Sequence, residues 1–195
     1  MLYSYRIEQA IRAAALLHRD QVRKGPAPLP YVTHLFAVAL IISDYTDNED
    51  IVIAGLLHDT LEDTDYTREE LQDDFGRKVC DIVLAVSEHI ENPDEKKEWK
   101  ERKKRYIKQL ADAPQEALIV SSADKIHNMR SVIEGYYNNR AGFIRDFGKP
   151  SVEDQVWFHQ NVSNVLNRRL KNDIVHEFNH VFTEYKKFVL NDKEK

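Results

Sequence analysis

The chain is expected to be all-α, folded as a single helical domain, and two observations point there. No segment alternates apolar and polar residues over five or more positions between turn residues, as a half-buried strand would. Apolar residues instead recur at three- and four-residue spacings along almost the whole length, and glycine and proline fall mainly between those stretches. A chain of 195 residues is long enough for one domain with a sizeable core. Residues 1–190 are expected to form it, with Asn191–Lys195 a frayed tail.

Each expected helix has its own signals. Residues 4–21 place Ile7, Ala10, Ile11, Ala14 and Leu17 on one face behind a Ser4 cap. Residues 33–46 carry Phe36, Val38, Ala39 and Ile42 behind Thr33. Residues 49–62 follow Asn48 and run through the apolar stretch Ile51–Leu57. Thr67 and Glu70 form a capping-box pattern for a short helix. Val79, Ile82, Val83 and Val86 mark another, and residues 95–112 a further one with Trp99, Tyr106, Ile107 and Leu110. Pro114 suits the first turn of the helix bearing Asp124. Ser151 opens the last helical region, which runs to Phe188 with a break near Asn172. The proline-rich Gly25–Pro30 and the segment Gly135–Pro150 are expected loops, and loops of that length in a compact helical domain are often binding loops.

The chemistry concentrates in His58-Asp59-Thr60-Leu61-Glu62-Asp63. On a continuous helix His58 shares a face with Glu62, and Asp59 with Asp63. Four titratable side chains directly after an apolar run are costly unless something holds them, and a divalent cation in a water-filled cleft would do so. His34 and Asp124 complete an H…HD…D arrangement. Imidazole and carboxylate together suit Mn²⁺, Fe²⁺ and Zn²⁺. Successive helical residues point about 100° apart, so His58 and Asp59 are expected to reach one ion only at the cleft edge of their helix. Glu62 and Asp63 would end that helix, where acidic side chains oppose the macrodipole.

This pattern resembles the HD-domain metal-dependent phosphohydrolases, and most of all the hydrolase domain of RelA/SpoT-type proteins and the small alarmone hydrolases. The matching segments are Arg23-Lys24-Gly25 leading to Tyr31-Val32-Thr33-His34, then His58-Asp59-Thr60-Leu61-Glu62-Asp63-Thr64, Phe75-Gly76, and Ala123-Asp124-Lys125-Ile126-His127-Asn128-Met129-Arg130. The resemblance implies one divalent ion, usually Mn²⁺, on His34, His58, Asp59 and Asp124, with Glu62 and Asp63 as the acid–base pair. It implies nucleotide contacts from Arg23 and Lys24, a ribose contact from Asn128 and a pyrophosphate contact from Ser131. The activity it implies is removal of the 3′-pyrophosphate from guanosine tetra- or pentaphosphate. The alternatives are an HD phosphohydrolase of another nucleotide and a nucleotide-sensing module without catalysis. Where the family carries an Arg and, four residues later, a Tyr near the base, this chain has Glu153 and Trp157.

Other features bound the possibilities. A net charge of −5 argues against a nucleic-acid surface, and leaves a small nucleotide substrate as the expected partner. No apolar run approaches the ~20 residues of a membrane span. The N-terminus lacks the basic and apolar regions of a signal peptide, so a cytoplasmic location is expected. The single Cys80 excludes an internal disulfide and reads as core filling. Residues 94–108 hold eight Lys or Arg against four acids, a pattern expected of a solvated helix face, with an electrostatic lip for a polyphosphate as the alternative. Histidines 18, 89, 127, 159, 176 and 180 read as structural; His127 lies one residue off the face shared by Asp124 and Asn128.

Overall fold

The computed structural model describes residues 3–23, 28–88, 99–138 and 151–190. Helices run in the order α1 Tyr5–Leu17, α2 Val32–Ser43, α3 Glu49–Leu57, α4 Thr60–Asp63, α5 Arg68–Phe75, α6 Arg77–Val86, α7 Trp99–Asp112, α8 Gln115–Asn138, α9 Val152–Arg169 and α10 Ile174–Leu190. The described residues contain no strand, only one isolated antiparallel bridge between Val22 and Pro30.

α3 explains the architecture. Its residues Ile51 to Leu57 are all buried, and a helix apolar on every side must be covered on every side. α1, α2, α6 and α8 supply that cover. α8 in turn packs against α2, α6 and α10, so α3 and α8 form the centre on which the site is built. α7 and α9 pack together at one side, and α10 lies along both α8 and α9.

Several ends are set by caps that the sequence announces. Ser4 Oγ accepts from the Ile7 N–H, and Asn48 Oδ1 accepts from Asp50. Thr67 and Glu70 form the full capping box. Ser151 Oγ accepts from Asp154, and the expected break near Asn172 separates α9 from α10. No described helix is long and apolar enough to cross a membrane.

Four expectations change. α1 stops at Leu17, because His18 already has a C-cap conformation, and Ile11 is exposed. α2 begins at Val32 rather than behind Thr33, whose hydroxyl donates back to the Pro30 carbonyl. The helix expected over 49–62 is two helices, with a break at His58-Asp59. Gly135 lies inside α8 rather than at a loop start, and the remainder of that expected loop, 139–150, lies outside the described residues. His89 and the tail 191–195 lie outside them too.

Candidate metal centre and active-site recess

Three separated segments deliver the candidate ligands. His34 occupies the first turn of α2, where the Tyr31 N–H to Gln21 carbonyl bond ties the helix start to the segment after α1. Asp124 projects from the middle of α8. His58 and Asp59 sit in the break between α3 and α4, with Asp59 at φ −96°, ψ −3°, in the sparsely allowed region between helix and strand where active-site residues often sit. That break turns two sequence neighbours toward one point: His58 Nε2 and Asp59 Oδ2 lie 3.1 Å apart. It also removes the dipole penalty expected for Glu62 and Asp63, which stand on a separate single turn.

The donor atoms converge. Ligand atoms of His34, His58 and Asp59 all lie within 4.8 Å of one another, a group that could hold a metal ion. Asp124 Oδ1 lies 3.3 Å from His34 Nε2 and 3.7 Å from His58 Nε2, and Asp59 Oδ2 is 3.6 Å from His34 Nε2. Ligands bound at about 2.0–2.2 Å to one divalent ion, with bonds meeting near right angles or somewhat wider, sit about 2.8–3.6 Å apart. The observed spacings fit such an ion. So does His58 Nε2, a buried nitrogen with no hydrogen-bond partner, while Nδ1 of the same ring is within 2.9 Å of the Gly55 carbonyl.

The charges agree. Burial opposes protonation of His58, yet the Asp59 and Asp124 carboxylates outweigh it and hold the imidazole well above its ordinary value. Burial keeps His34 below its ordinary value. Burial also opposes ionisation of Asp59 and Asp124, but His58 acts on the first, and Lys125 with both histidines on the second, to keep them ionised. A site that draws a proton between two carboxylates is one where a cation is stabilised.

Outer contacts fix these side chains. The Tyr31 hydroxyl donates to Asp59 Oδ2 at 2.6 Å. Lys125 Nζ and Asn128 Nδ2 both donate to the Asp124 carboxylate. His34 Nδ1 lies 2.7 Å from His127 Nδ1. Burial, followed by the His34 and Arg23 charges, lowers His127 to about 4.

A recess of about 220 Å³ opens over the ligands, lined also by Tyr31, Glu62, Asp63, Glu88, Lys103, Tyr106, Lys125 and Asn128. Glu62 has more than a third of its surface open, but its carboxyl faces inward and accepts from the Glu88 N–H at 2.7 Å. Burial of that carboxyl, together with the Asp59 charge, raises it to about 7. The same two causes raise Asp63. Two ammonium groups line the same recess. Lys103 pairs with Glu88 and lies 4.9 Å from the Phe158 ring, and Lys125 lies 4.9 Å from the Tyr106 ring. Part of the basic stretch 94–108, expected to be a solvated face, therefore turns into the recess at Lys103.

The expected nucleotide contacts are partly assembled. Arg23 Nη2 donates to Asn128 Oδ1 at 2.9 Å, with its guanidinium 5.6 Å from the Tyr31 ring centre. Ser131 turns its hydroxyl back to the His127 carbonyl at 2.9 Å and does not line the recess. Lys24 lies outside the described residues. Trp157 packs beside Lys100, and neither Glu153 nor Trp157 lines the recess. Sequence reasoning passed over Tyr31, Lys103, Lys125 and His127. Tyr31 had a signal, one turn before His34; the face argument that set His127 aside considered only its own helix, not α2 beside it.

Two imidazoles and two carboxylates brought from three segments to one recess form, in an all-helical domain, a group that could hold a divalent ion. The HD domain family model matches residues 10–143, and the chain belongs to that family. It is 35% identical over 131 residues to the guanosine-3′,5′-bis(diphosphate) 3′-pyrophosphohydrolase MESH1 of Drosophila melanogaster, covering 66% of this chain and 70% of that one. The Homo sapiens MESH1 is 37% identical over 126 residues, covering 64% of this chain and 68% of that one. Among solved structures, a metazoan orthologue of SpoT described as hydrolysing ppGpp superposes with a TM-score of 0.75 at 27% identity, over 93% of this chain and 96% of that one.

Proposed function

We propose that this protein is a metal-dependent 3′-pyrophosphohydrolase of guanosine tetra- and pentaphosphate, releasing pyrophosphate and GDP or GTP. The observation that carries the proposal is the convergence of His34, His58, Asp59 and Asp124 beneath a recess edged by Glu62 and Asp63. The relatives named for this reaction supply the substrate class. His34, His58, Asp59 and Asp124 would hold a divalent ion, Mn²⁺ in this proposal, which would supply Lewis-acid chemistry to water and to a phosphoryl oxygen.

The chain's own residues do the rest. Glu62, whose carboxyl faces into the recess, is the group assigned to take and return the proton of the reaction. Asp63 beside it is the second member of the pair. Lys103 and Lys125 offset the phosphate charge across the recess. At about 220 Å³ the recess is smaller than the ~300–1,000 Å³ of pockets that enclose drug-sized ligands. It therefore takes the reacting pyrophosphate, while the nucleoside lies outward toward Arg23 and Asn128. Arg23 would exchange its contact with Tyr31 for the purine face, and Asn128 would turn to the ribose. Lys24 is assigned to phosphate, and Ser131 reaches the pyrophosphate only by giving up its bond to His127. A cytoplasmic location is part of the same proposal.

The test is incubation of purified, Mn²⁺-loaded protein with ppGpp, followed by product separation on anion exchange. Pyrophosphate and GDP in equal amounts are expected. Faster turnover of a nucleoside monophosphate or dNTP would move the function to another nucleotide. Metal uptake with no turnover of any nucleotide would make the chain a sensor.

A further inference from the structure

His34 and His127 meet through their Nδ1 atoms at 2.7 Å, so one ring donates and the other accepts. A neutral imidazole carries one N–H. If His127 donates, His34 keeps its proton on Nε2, the nitrogen facing Asp59 and Asp124 at 3.6 and 3.3 Å. If His34 donates, its Nε2 is bare. The neighbouring ligand shows which arrangement the site is built for. His58 turns Nδ1 to the Gly55 carbonyl, an acceptor only, so its Nδ1 carries the N–H and Nε2 is the nitrogen that can ligate at the same point. His34 has no carbonyl in that position and has His127 instead. Ring contacts hold the pair in place: His34 packs against His127 at 4.8 Å and against Tyr31 at 5.7 Å.

We propose that His127 is a positioning residue for the metal, whose Nδ1 accepts the proton of His34 Nδ1 and so leaves His34 Nε2 free to act as a ligand. The inference rests on the metal-dependent reading above. The protons balance. With Nε2 of His34 protonated toward Asp124, the proton between the rings belongs to His127. In the ligating arrangement that proton has crossed to His34 Nδ1, the His34 Nε2 proton has left to solvent, and one solvent proton has joined His127 Nε2. Both rings are neutral throughout. His127 is only half-buried, which gives its outer nitrogen access to solvent. A side chain that holds a metal-ligating imidazole in the right tautomer is worth about 10- to 100-fold in metal affinity.

Two measurements test it, neither of them activity. In titrations of metal-free protein with Mn²⁺, read by electron paramagnetic resonance, His127→Phe should bind about 10- to 100-fold more weakly than wild type. His127→Asn, which restores an acceptor oxygen at the same branch, should recover most of the loss. Equal affinity for wild type and His127→Phe would overturn the proposal. If His127→Phe does not fold, ¹⁵N imidazole spectra of Zn²⁺-loaded wild type decide: the His34 proton is expected on Nδ1, and a proton on its Nε2 would overturn the proposal. Wild-type protein that takes up neither ion would overturn the metal reading itself, and this inference with it.

Discussion

Glu62 lies three residues beyond Asp59, whose charge, added to burial, raises its carboxyl from an ordinary 4.5 to about 7. The native state therefore binds this proton more tightly than the unfolded chain. The stability this contributes is complete below about pH 4.5 and is lost as pH rises through 7. In metal-free protein Glu62→Gln should melt above wild type at pH 8, with the gap closing toward pH 4. In loaded protein the same change should slow turnover by roughly 10²-fold or more. Thermal melts at several pH values check the first expectation and steady-state rates the second; identical melting at pH 8 would show a fully hydrated carboxyl. A companion change, Tyr31→Phe, removes the 2.6 Å bond to Asp59 and should weaken metal binding about 10-fold, measured by titration. The candidate ligands and Glu62-Asp63 stand out in the sequence because short motifs carry them. The contacts of Tyr31, Lys103, Lys125 and His127 do not show there, even though Tyr31, Lys125 and His127 stand in the same motifs, because they depend on distances between segments that only the fold brings together.

At the scale of elements, the approach of α2 to α3 sets the spacing of His34 and His58. Gly55 stands at the contact: a Cβ added there would lie 2.3 Å from Ile42 Cδ1 and 3.7 Å from the Ala39 Cα. Ile42 is fully buried, so it has little room to turn away. Gly55→Ala gains about 1 kcal/mol of helix propensity but overpacks the contact by about 1–3 kcal/mol, and a net loss is expected. In an Ile42→Val background, which lacks Cδ1, the same change should become neutral or stabilising. Denaturant unfolding of the four proteins measures the coupling, and simple additivity would show that the helices do not meet closely at Gly55. α3 was readable as a buried helix from its unbroken apolar run. Its end was not, because Thr60-Leu61-Glu62-Asp63 is as helix-compatible as what precedes it, and the break at His58-Asp59 follows from the demand that both neighbours face one point.

For the molecule as a whole, a ligand that binds only the native state stabilises it, by about 2.7 kcal/mol at a hundred times its dissociation constant. A chain of this size gains about 2–4 °C per kcal/mol, so saturating Mn²⁺ should raise the melting temperature by about 5–11 °C, and chelator should reverse it. A calorimetric scan with and without chelator checks this, and coincident transitions would argue against a native-state site. The helical class was readable in the sequence; the order of packing around α3 was not, since it rests on contacts between helices far apart in the chain. The placing of the ligands at positions 34, 58, 59 and 124 has a kinetic side. An ion that needs α2, the α3–α4 break and α8 docked together finds nothing to grip during the search for the fold. For docking that follows the rate-limiting barrier, the refolding arm of a chevron is expected to be indifferent to Mn²⁺ while the unfolding arm slows. Where cleavage outpaces reclosing, the lifetime of the chain against proteases would then report how well the cell supplies the metal.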